Sequence, residues 1–195
     1  MAKYLESSEI IDFYNEKFTE LADTFSKMAK NKTNYVKIVY EYVRDSFSHS
    51  ADANYNELLC TASEVLNSGH GICFSKSHLL AALLRCNGIP VGFCYQKLIL
   101  DDETAPYLVL HGLNAVYLEE YDRWIRLDAR GNRKDINSQF LIWNEQLAFQ
   151  IREEKGEEDI LTVFSKPDKN VVEVLKKYST RSEFFPYIPR ELSKQ

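Results

Sequence analysis

The sequence lacks any segment that would place the chain across a membrane. Its longest apolar run, Leu79 to Leu84, is far shorter than the roughly 20 residues that a membrane-spanning helix needs. Met1 is followed by alanine, lysine and tyrosine and then by polar residues, so no secretory signal peptide is predicted. These absences predict a protein with no membrane partner and a cytoplasmic location.

An excess of positive charge is also missing. The 195 residues carry a formal net charge of -5, and no tract of lysine and arginine stands out. A nucleic-acid partner is therefore not expected. Repeats and low-complexity tracts are absent as well. Because this length suits one compact domain and is too short for two, residues 1–195 are predicted to form a single domain.

The cysteines follow neither a disulfide framework nor a metal-site spacing. The chain has four of them, and no two form a Cys-x-x-Cys pair. Without an export signal, free thiols in a reducing compartment are expected. No cysteine or histidine pair has zinc-finger spacing, and no oxygen-rich loop suggests calcium. We therefore expect no metal and no organic cofactor.

What the sequence does contain is a change of hydrophobic period along the chain. Steps of three and four residues predict helices, and alternation predicts strands. The predicted helices span residues 8–30, 34–47, a segment from a capping box at Thr61 to Gly69, 73–85 and 171–178, with an irregular tail after Arg181. The predicted strands span residues 91–100, 110–119 and 123–129. This order indicates an α+β domain with a helical N-terminal part (1–50), a core (60–132) and a C-terminal extension (133–195).

Cys73 is the candidate nucleophile. It follows a glycine-rich segment and opens an apolar helix, where unpaired backbone N–H groups and the helix dipole favour a thiolate. The same N–H groups could stabilise the oxyanion formed when a thiolate attacks a carbonyl. The alternative for Cys73 is a buried structural cysteine, which is the interpretation adopted for Cys60, Cys86 and Cys94.

His111 and Asp128 are the candidate base and orienting group. If the turn between the second and third strands places Leu118 opposite Arg123, paired residue numbers sum to 241. Asp128 then lies one diagonal step from His111 on the same face of the sheet. Asn114, the other candidate partner for His111, lies an odd number of residues from it along the same strand. Its side chain is therefore expected to point to the opposite face of the sheet. Taken singly, His111 could be a half-buried strand histidine and Asp128 a turn cap.

These segments resemble a known family. The run from Gly69 to Arg85, the Gly88-Ile89-Pro90 exit and the segment from Trp124 to Asp128 are similar to the core of the transglutaminase-like superfamily. The resemblance covers roughly residues 60 to 132. It implies a papain-like fold in which N-terminal helices and a buried nucleophile helix pack on an antiparallel sheet. It also implies that Cys73, His111 and Asp128 form the catalytic triad.

The chain departs from the family pattern at two places. The family often has an aromatic residue two positions after the histidine and an acid two positions further on, where this chain has Leu113 and Ala115. The side chain that donates to the oxyanion is not identified, with Asn54, Tyr55 and Asn56 as the candidates.

Three residues near Cys73 are predicted to contact substrate. His70 lies between two glycines and could line a cleft, although it could equally be a solvated loop residue. Gly71 leaves room for a substrate backbone. Lys76 falls one helical turn after Cys73, where packing is the competing interpretation.

The predicted function is a cysteine enzyme that cleaves peptide or side-chain amide bonds through a thioester, with hydrolysis favoured over transamidation. Its expected partner is a peptide or protein amide substrate, and the sequence gives no oligomeric state. The alternatives are a catalytically silent domain that binds or scaffolds, and a redox sensor that uses Cys73.

Overall fold

The computed structural model describes residues 1–194, in which helices pack on a four-stranded antiparallel sheet. This confirms the predicted α+β class. The helices are α1 Glu16–Met28, α2 Lys32–Ser46, α3 Ala62–Ser68, α4 Cys73–Cys86, α5 Lys169–Lys177 and α6 Arg181–Phe184. The strands are β1 Ser48–His49, β2 His70–Gly71, β3 Val91–Asp101, β4 Ala105–Leu118, β5 Arg123–Leu127 and β6 Glu158–Phe164. Strands β1 and β2 form a separate parallel pair.

The first helix begins later than its apolar pattern predicts. The pattern places its start at Ser8, but Asn15 is the N-cap and accepts a hydrogen bond from the amide of Phe18. The Ser8 hydroxyl instead accepts from the amides of Ile10 and Ile11, at 3.2 and 3.1 Å. Both isoleucines are buried, so their apolar spacing reflects core packing of a loop rather than a helix.

The capping box predicted at Thr61 is present at the start of α3, and Gly69 ends that helix with a φ of 77°.

Helix α4 forms the centre of the core. It begins at Cys73, and each residue from Phe74 to Arg85 is buried. It packs against α1, α2, α3 and strand β4. An all-round apolar helix of this kind is held rigidly, which fixes the position of its first residue.

The sheet has the order β5-β4-β3-β6. The three predicted strands are confirmed as β3, β4 and β5. Strand β4 starts five residues earlier than predicted, because it forms a hairpin with β3. Strand β6, which pairs with β3, was not predicted. The register between β4 and β5 pairs Leu118 with Arg123 and Asn114 with Leu127, as the alternation predicted. Asp128 follows directly after β5.

The C-terminal extension packs on the core. Strand β6 pairs with β3, and α5 buries Val171 and Leu175. The tail predicted to be irregular contains the short helix α6, and the carbonyl of Pro189 accepts a hydrogen bond from the amide of Leu110 at 2.7 Å. Among residues 1–194, no helix has both the length and the apolar character needed to cross a membrane.

Candidate active site

The side chains of His111 and Asp128 are joined by a short hydrogen bond. His111 Nε2 lies 2.7 Å from Asp128 Oδ2, and both side chains are buried. Asp128 is anchored in turn, because Oδ1 accepts from the amide of Arg130 at 3.0 Å and Oδ2 accepts from the amide of Ala148 at 3.3 Å. The hairpin register that was predicted from alternation brings this pair together. A carboxylate fixed in this way sets the orientation of the imidazole ring.

The pair is electrostatically coupled. Burial works against a charged His111, but the carboxylate of Asp128 and the side chain of Cys73 outweigh it and raise the pKa of His111 to about 10. Burial likewise works against a charged Asp128, but the imidazolium and the two backbone amides lower the pKa of that carboxyl below its ordinary value. His111 therefore carries a positive charge at neutral pH.

Cys73 completes the group of three. It is the first residue of α4, is half-buried, lines the same cavity as His111, and lies near enough for its side chain to help raise the pKa of that ring. Because Nε2 of His111 is bound to Asp128, Nδ1 is the nitrogen that remains for the sulfur. Gly112 permits this approach, since a Cβ at that position would lie 2.6 Å from the ring of Phe74, the residue after Cys73. A thiol, an imidazole and a carboxylate in this order can act as nucleophile, base and orienting group.

A wall of the site comes from the C-terminal extension, which sequence reasoning did not connect with the site. The ring of Phe149 packs edge-to-face on the ring of His111, with 5.1 Å between the ring centres. The guanidinium of Arg130 lies 5.8 Å from the centre of the Phe149 ring. The Ala148 amide bound to Asp128 belongs to this segment. Residues 133–152 have no helical or strand period, so nothing in their pattern could have indicated the contact.

Cys73 and His111 open onto a large cavity. Its volume is about 1140 Å³, which is enough for a peptide segment. One part of its lining is apolar and includes Leu98, Val109, Leu110, Leu147, Phe149 and Ile188. Another part carries charged side chains of both signs, among them Asp52, Asp102, Arg130, Arg133 and Arg152.

The sequence match to a protein family decides what kind of chain this is. The model of the transglutaminase-like superfamily matches residues 19–129, more than half of the sequence. The chain belongs to the transglutaminase-like superfamily. No curated protein matches it.

Three solved structures are similar to this transglutaminase-like chain. A candidate cysteine protease from Cytophaga hutchinsonii superposes with a TM-score of 0.53 at 19% identity, covering 66% of this chain and 41% of the other. A candidate protease from Parabacteroides distasonis has a TM-score of 0.43 at 16% identity, covering 64% of this chain and 26% of the other. The periplasmic domain of TgpA from Pseudomonas aeruginosa has a TM-score of 0.47 at 16% identity, covering 65% and 45%. The chain thus aligns with less than half the length of each. The likeness to the Cytophaga hutchinsonii protein, at 19% identity, shows the fold alone.

Two of the three predicted substrate contacts near Cys73 serve internal packing instead. His70 is buried outside the cavity lining, where its ring stacks on Tyr55 at 4.1 Å and its Nδ1 lies 3.0 Å from the Ser50 hydroxyl. A Cβ at Gly71 would lie 2.7 Å from Ser75 Oγ, so the glycine makes room for α4 rather than for substrate. Their assignment to substrate binding is corrected accordingly.

The third, Lys76, has a fully buried amino group. Its Nζ donates to the carbonyls of Phe47 at 2.5 Å, Arg130 at 2.9 Å and Arg44 at 3.3 Å. Because the side chain is 0% exposed and its three N–H bonds are occupied, none is left for a substrate. Burial lowers the pKa of Lys76 to about 7, although the nearby carboxylate of Asp128 favours the charged form.

The three candidate oxyanion donors also lie away from the cavity lining. Tyr55 stacks on His70, Asn56 accepts hydrogen bonds from Ser182, and Asn54 is in a left-handed turn with a φ of 58°. The cavity does contain a second imidazole, that of His49 on β1, which sequence reasoning missed. A strand of two residues shows no period that could have drawn attention to it.

Cys73 should be the most reactive thiol. Burial raises the pKa of Cys60 and Cys94 to about 12, and it raises that of Cys86 as well. Cys86 is half-buried like Cys73, so exposure alone does not separate the two. Peptide mapping after iodoacetamide treatment at pH 7 should give a rate at Cys73 about tenfold or more above that at Cys86. The His111→Ala variant should lose most of this advantage. Equal rates at Cys73 and Cys86, or no effect of His111→Ala, would contradict the assignment.

Lys76→Met should destabilise the fold. The substitution leaves three buried carbonyls without a donor, at a cost of roughly 1–3 kcal/mol for each. We expect the free energy of unfolding in urea to fall by about 3 kcal/mol or more, whereas exposed Lys166→Met should change it by less than about 0.5 kcal/mol. Wild-type stability in Lys76→Met would show that the buried amino group contributes no net stabilisation.

The contribution of His111 to the free energy of unfolding should depend on pH. Because its pKa is raised in the folded state, its stabilisation is complete below the unfolded value of about 6.5 and is lost as the pH rises through about 10. The difference in unfolding free energy between wild type and His111→Gln should therefore shrink between pH 7 and pH 10. The control is buried His78, whose pKa is lowered to about 4, so the His78→Gln difference should stay constant over that range. A His111→Gln difference that is equally flat would contradict the charge assigned to this ring.

Proposed function

We propose that this chain is a cysteine hydrolase that cleaves peptide or side-chain amide bonds, with Cys73 as nucleophile, His111 as acid and base, and Asp128 as the orienting group. The observation that carries the proposal is the His111–Asp128 hydrogen bond of 2.7 Å, beside the thiol of Cys73 at the edge of the cavity. The membership of the superfamily and the fold shared with a candidate cysteine protease support it.

The first half of the reaction forms a thioester. The thiolate of Cys73, paired with the imidazolium of His111, attacks the carbonyl carbon of the amide and its electrons move onto the oxygen. The imidazolium gives its proton to the amide nitrogen, the C–N bond breaks and the amine leaves. The backbone N–H groups at the start of α4, which lack partners within the helix, are the backbone donors that we expect for the oxyanion.

Water completes the cycle. His111, now neutral, removes a proton from a water molecule as the oxygen adds to the thioester carbon. The C–S bond breaks, the acid is released, and the thiolate–imidazolium pair is restored. Asp128 stays ionised throughout and stabilises the charged ring, a role supported by the two backbone amides that hold its carboxylate.

The silent-scaffold alternative predicts a different site. A domain that only binds has no use for a buried carboxylate that raises the pKa of a histidine next to a cysteine. Transamidation shares the thioester and differs only in whether an amine or water attacks it, so the two reactions are separated by assay. The absence of a nucleic-acid partner and the cytoplasmic location stay predictions.

The proposal predicts cleavage that depends on Cys73. Incubation with a mixed peptide library, followed by mass spectrometry, should give new amine and carboxyl ends with wild type and none with Cys73→Ala. Asp128→Asn should lower kcat by about 100-fold or more with a smaller change in KM, since it disturbs the tautomer of His111. The matched control is Cys86→Ala, which should cleave normally.

A labelled primary amine in the same reaction reports transamidation. Incorporation of the amine without cleavage would assign the chain to acyl transfer. Cleavage that survives in Cys73→Ala, or no reaction with any peptide or amine, would contradict the proposal.

A further inference from the structure

One imidazole at the cavity is unused by the chemistry described so far. His49 lies on β1, which pairs in parallel with β2 so that His49 is opposite Gly71, two residues before Cys73. It lines the same cavity as Cys73 and His111. The short parallel pair therefore holds a second histidine beside the start of α4.

The ring of His49 has a free hydrogen-bonding position. Its Nδ1 is buried and has no hydrogen-bond partner among the described residues. The nearest carboxylate, that of Asp52, is 4.0 Å away and is already bound by the Arg130 guanidinium at 2.6 and 3.1 Å. A buried polar atom without a partner is costly, and the residue that carries it lines the cavity where a substrate would sit.

The surroundings keep this ring neutral. Burial is the largest cause, and the positive charges of Arg130, Lys76 and His111 add to it, while Asp52 opposes it; together they lower the pKa of His49 to about 3. At neutral pH the imidazole thus carries one N–H donor and no charge. A neutral donor does not compete with His111 as the counterion of a thiolate.

We propose that His49 is the side-chain donor of the oxyanion hole, giving its N–H to the carbonyl oxygen that becomes negative when Cys73 attacks. The inference rests on the proposed function, because it requires attack on a carbonyl at this site. It fills the place for which Asn54, Tyr55 and Asn56 were the candidates. With the backbone N–H groups of α4, it gives the oxyanion donors from two elements.

The test compares variants that keep or remove the donor. His49→Leu removes it, whereas His49→Asn and His49→Gln place an amide N–H near the positions of Nδ1 and Nε2. Against a peptide cleaved by the wild type, His49→Leu should lower kcat by about 10²- to 10³-fold. One of the amide variants should recover at least tenfold of that loss. Alkylation of Cys73 by iodoacetamide, which forms no oxyanion, should stay within about twofold in all three variants, and their thermal unfolding should remain cooperative.

A second measurement does not depend on turnover. A tripeptide aldehyde with apolar side chains, labelled with ¹³C at the aldehyde carbon, should form a tetrahedral thiohemiacetal with Cys73 that is visible by NMR. Its Kd should rise about tenfold or more in His49→Leu and recover in one amide variant. This effect without peptide cleavage by the wild type would overturn the hydrolase proposal and leave the role of His49 standing.

Other results overturn the role of His49. Unchanged kcat and Kd in His49→Leu would do so while leaving the hydrolase proposal intact. An equal fall in alkylation rate would place His49 in the activation of Cys73 instead, and failure of both amide variants to recover activity would assign it a packing role. No adduct and no cleavage with the wild type would overturn both proposals.

Discussion

The buried amino group of Lys76 links the elements that build the site. Lys76 is one turn along α4 from Cys73, and its Nζ binds the carbonyls of Arg44 near the end of α2, Phe47 just before β1, and Arg130 just after β5. The amide of Arg130 in turn holds the carboxylate of Asp128. The helix that begins at Cys73 is thereby tied to the segments that carry Asp128 and His49. Moving any one of these segments would leave a charged group or a buried carbonyl without a partner, which is costly in the protein interior.

The two histidines of the cavity are held in opposite charge states by their neighbours. The pKa of His111 rises to about 10 beside Asp128, whereas that of His49 falls to about 3 because the ring is buried and lies near the positive charge of Arg130. Arg130 contributes to both, because its guanidinium binds Asp52 and thereby offsets the carboxylate nearest His49, while its backbone amide stabilises Asp128. Two titratable groups whose pKa values are shifted in opposite directions are typical of sites that need a charged acid and a neutral donor at the same pH. Arg130 thus contacts the carboxylate nearest to each of the two rings.

Sequence reasoning succeeded where local rules decide the geometry. The register of the β4–β5 hairpin follows from alternation and turn length, so the contact between His111 and Asp128 could be predicted from residue numbers alone. It failed where tertiary packing decides. Ile10 has helical spacing but is buried in a loop, and Lys76 occupies a helical position that is compatible with a substrate contact until its carbonyl partners are known. Phe149 reaches His111 from a segment without any period.

The central claim is that Cys73 is a nucleophile activated by the folded arrangement around it, and a mechanism-based label tests this most directly. Wild-type protein treated with a peptidyl acyloxymethyl ketone should gain the mass of one label, located on Cys73 by peptide mapping. The same treatment in a denaturing concentration of urea should give no such selective adduct, because the reagent reacts poorly with a cysteine that lacks its imidazole partner. A native protein that gains no label, or one whose label is found on Cys86, would contradict the account.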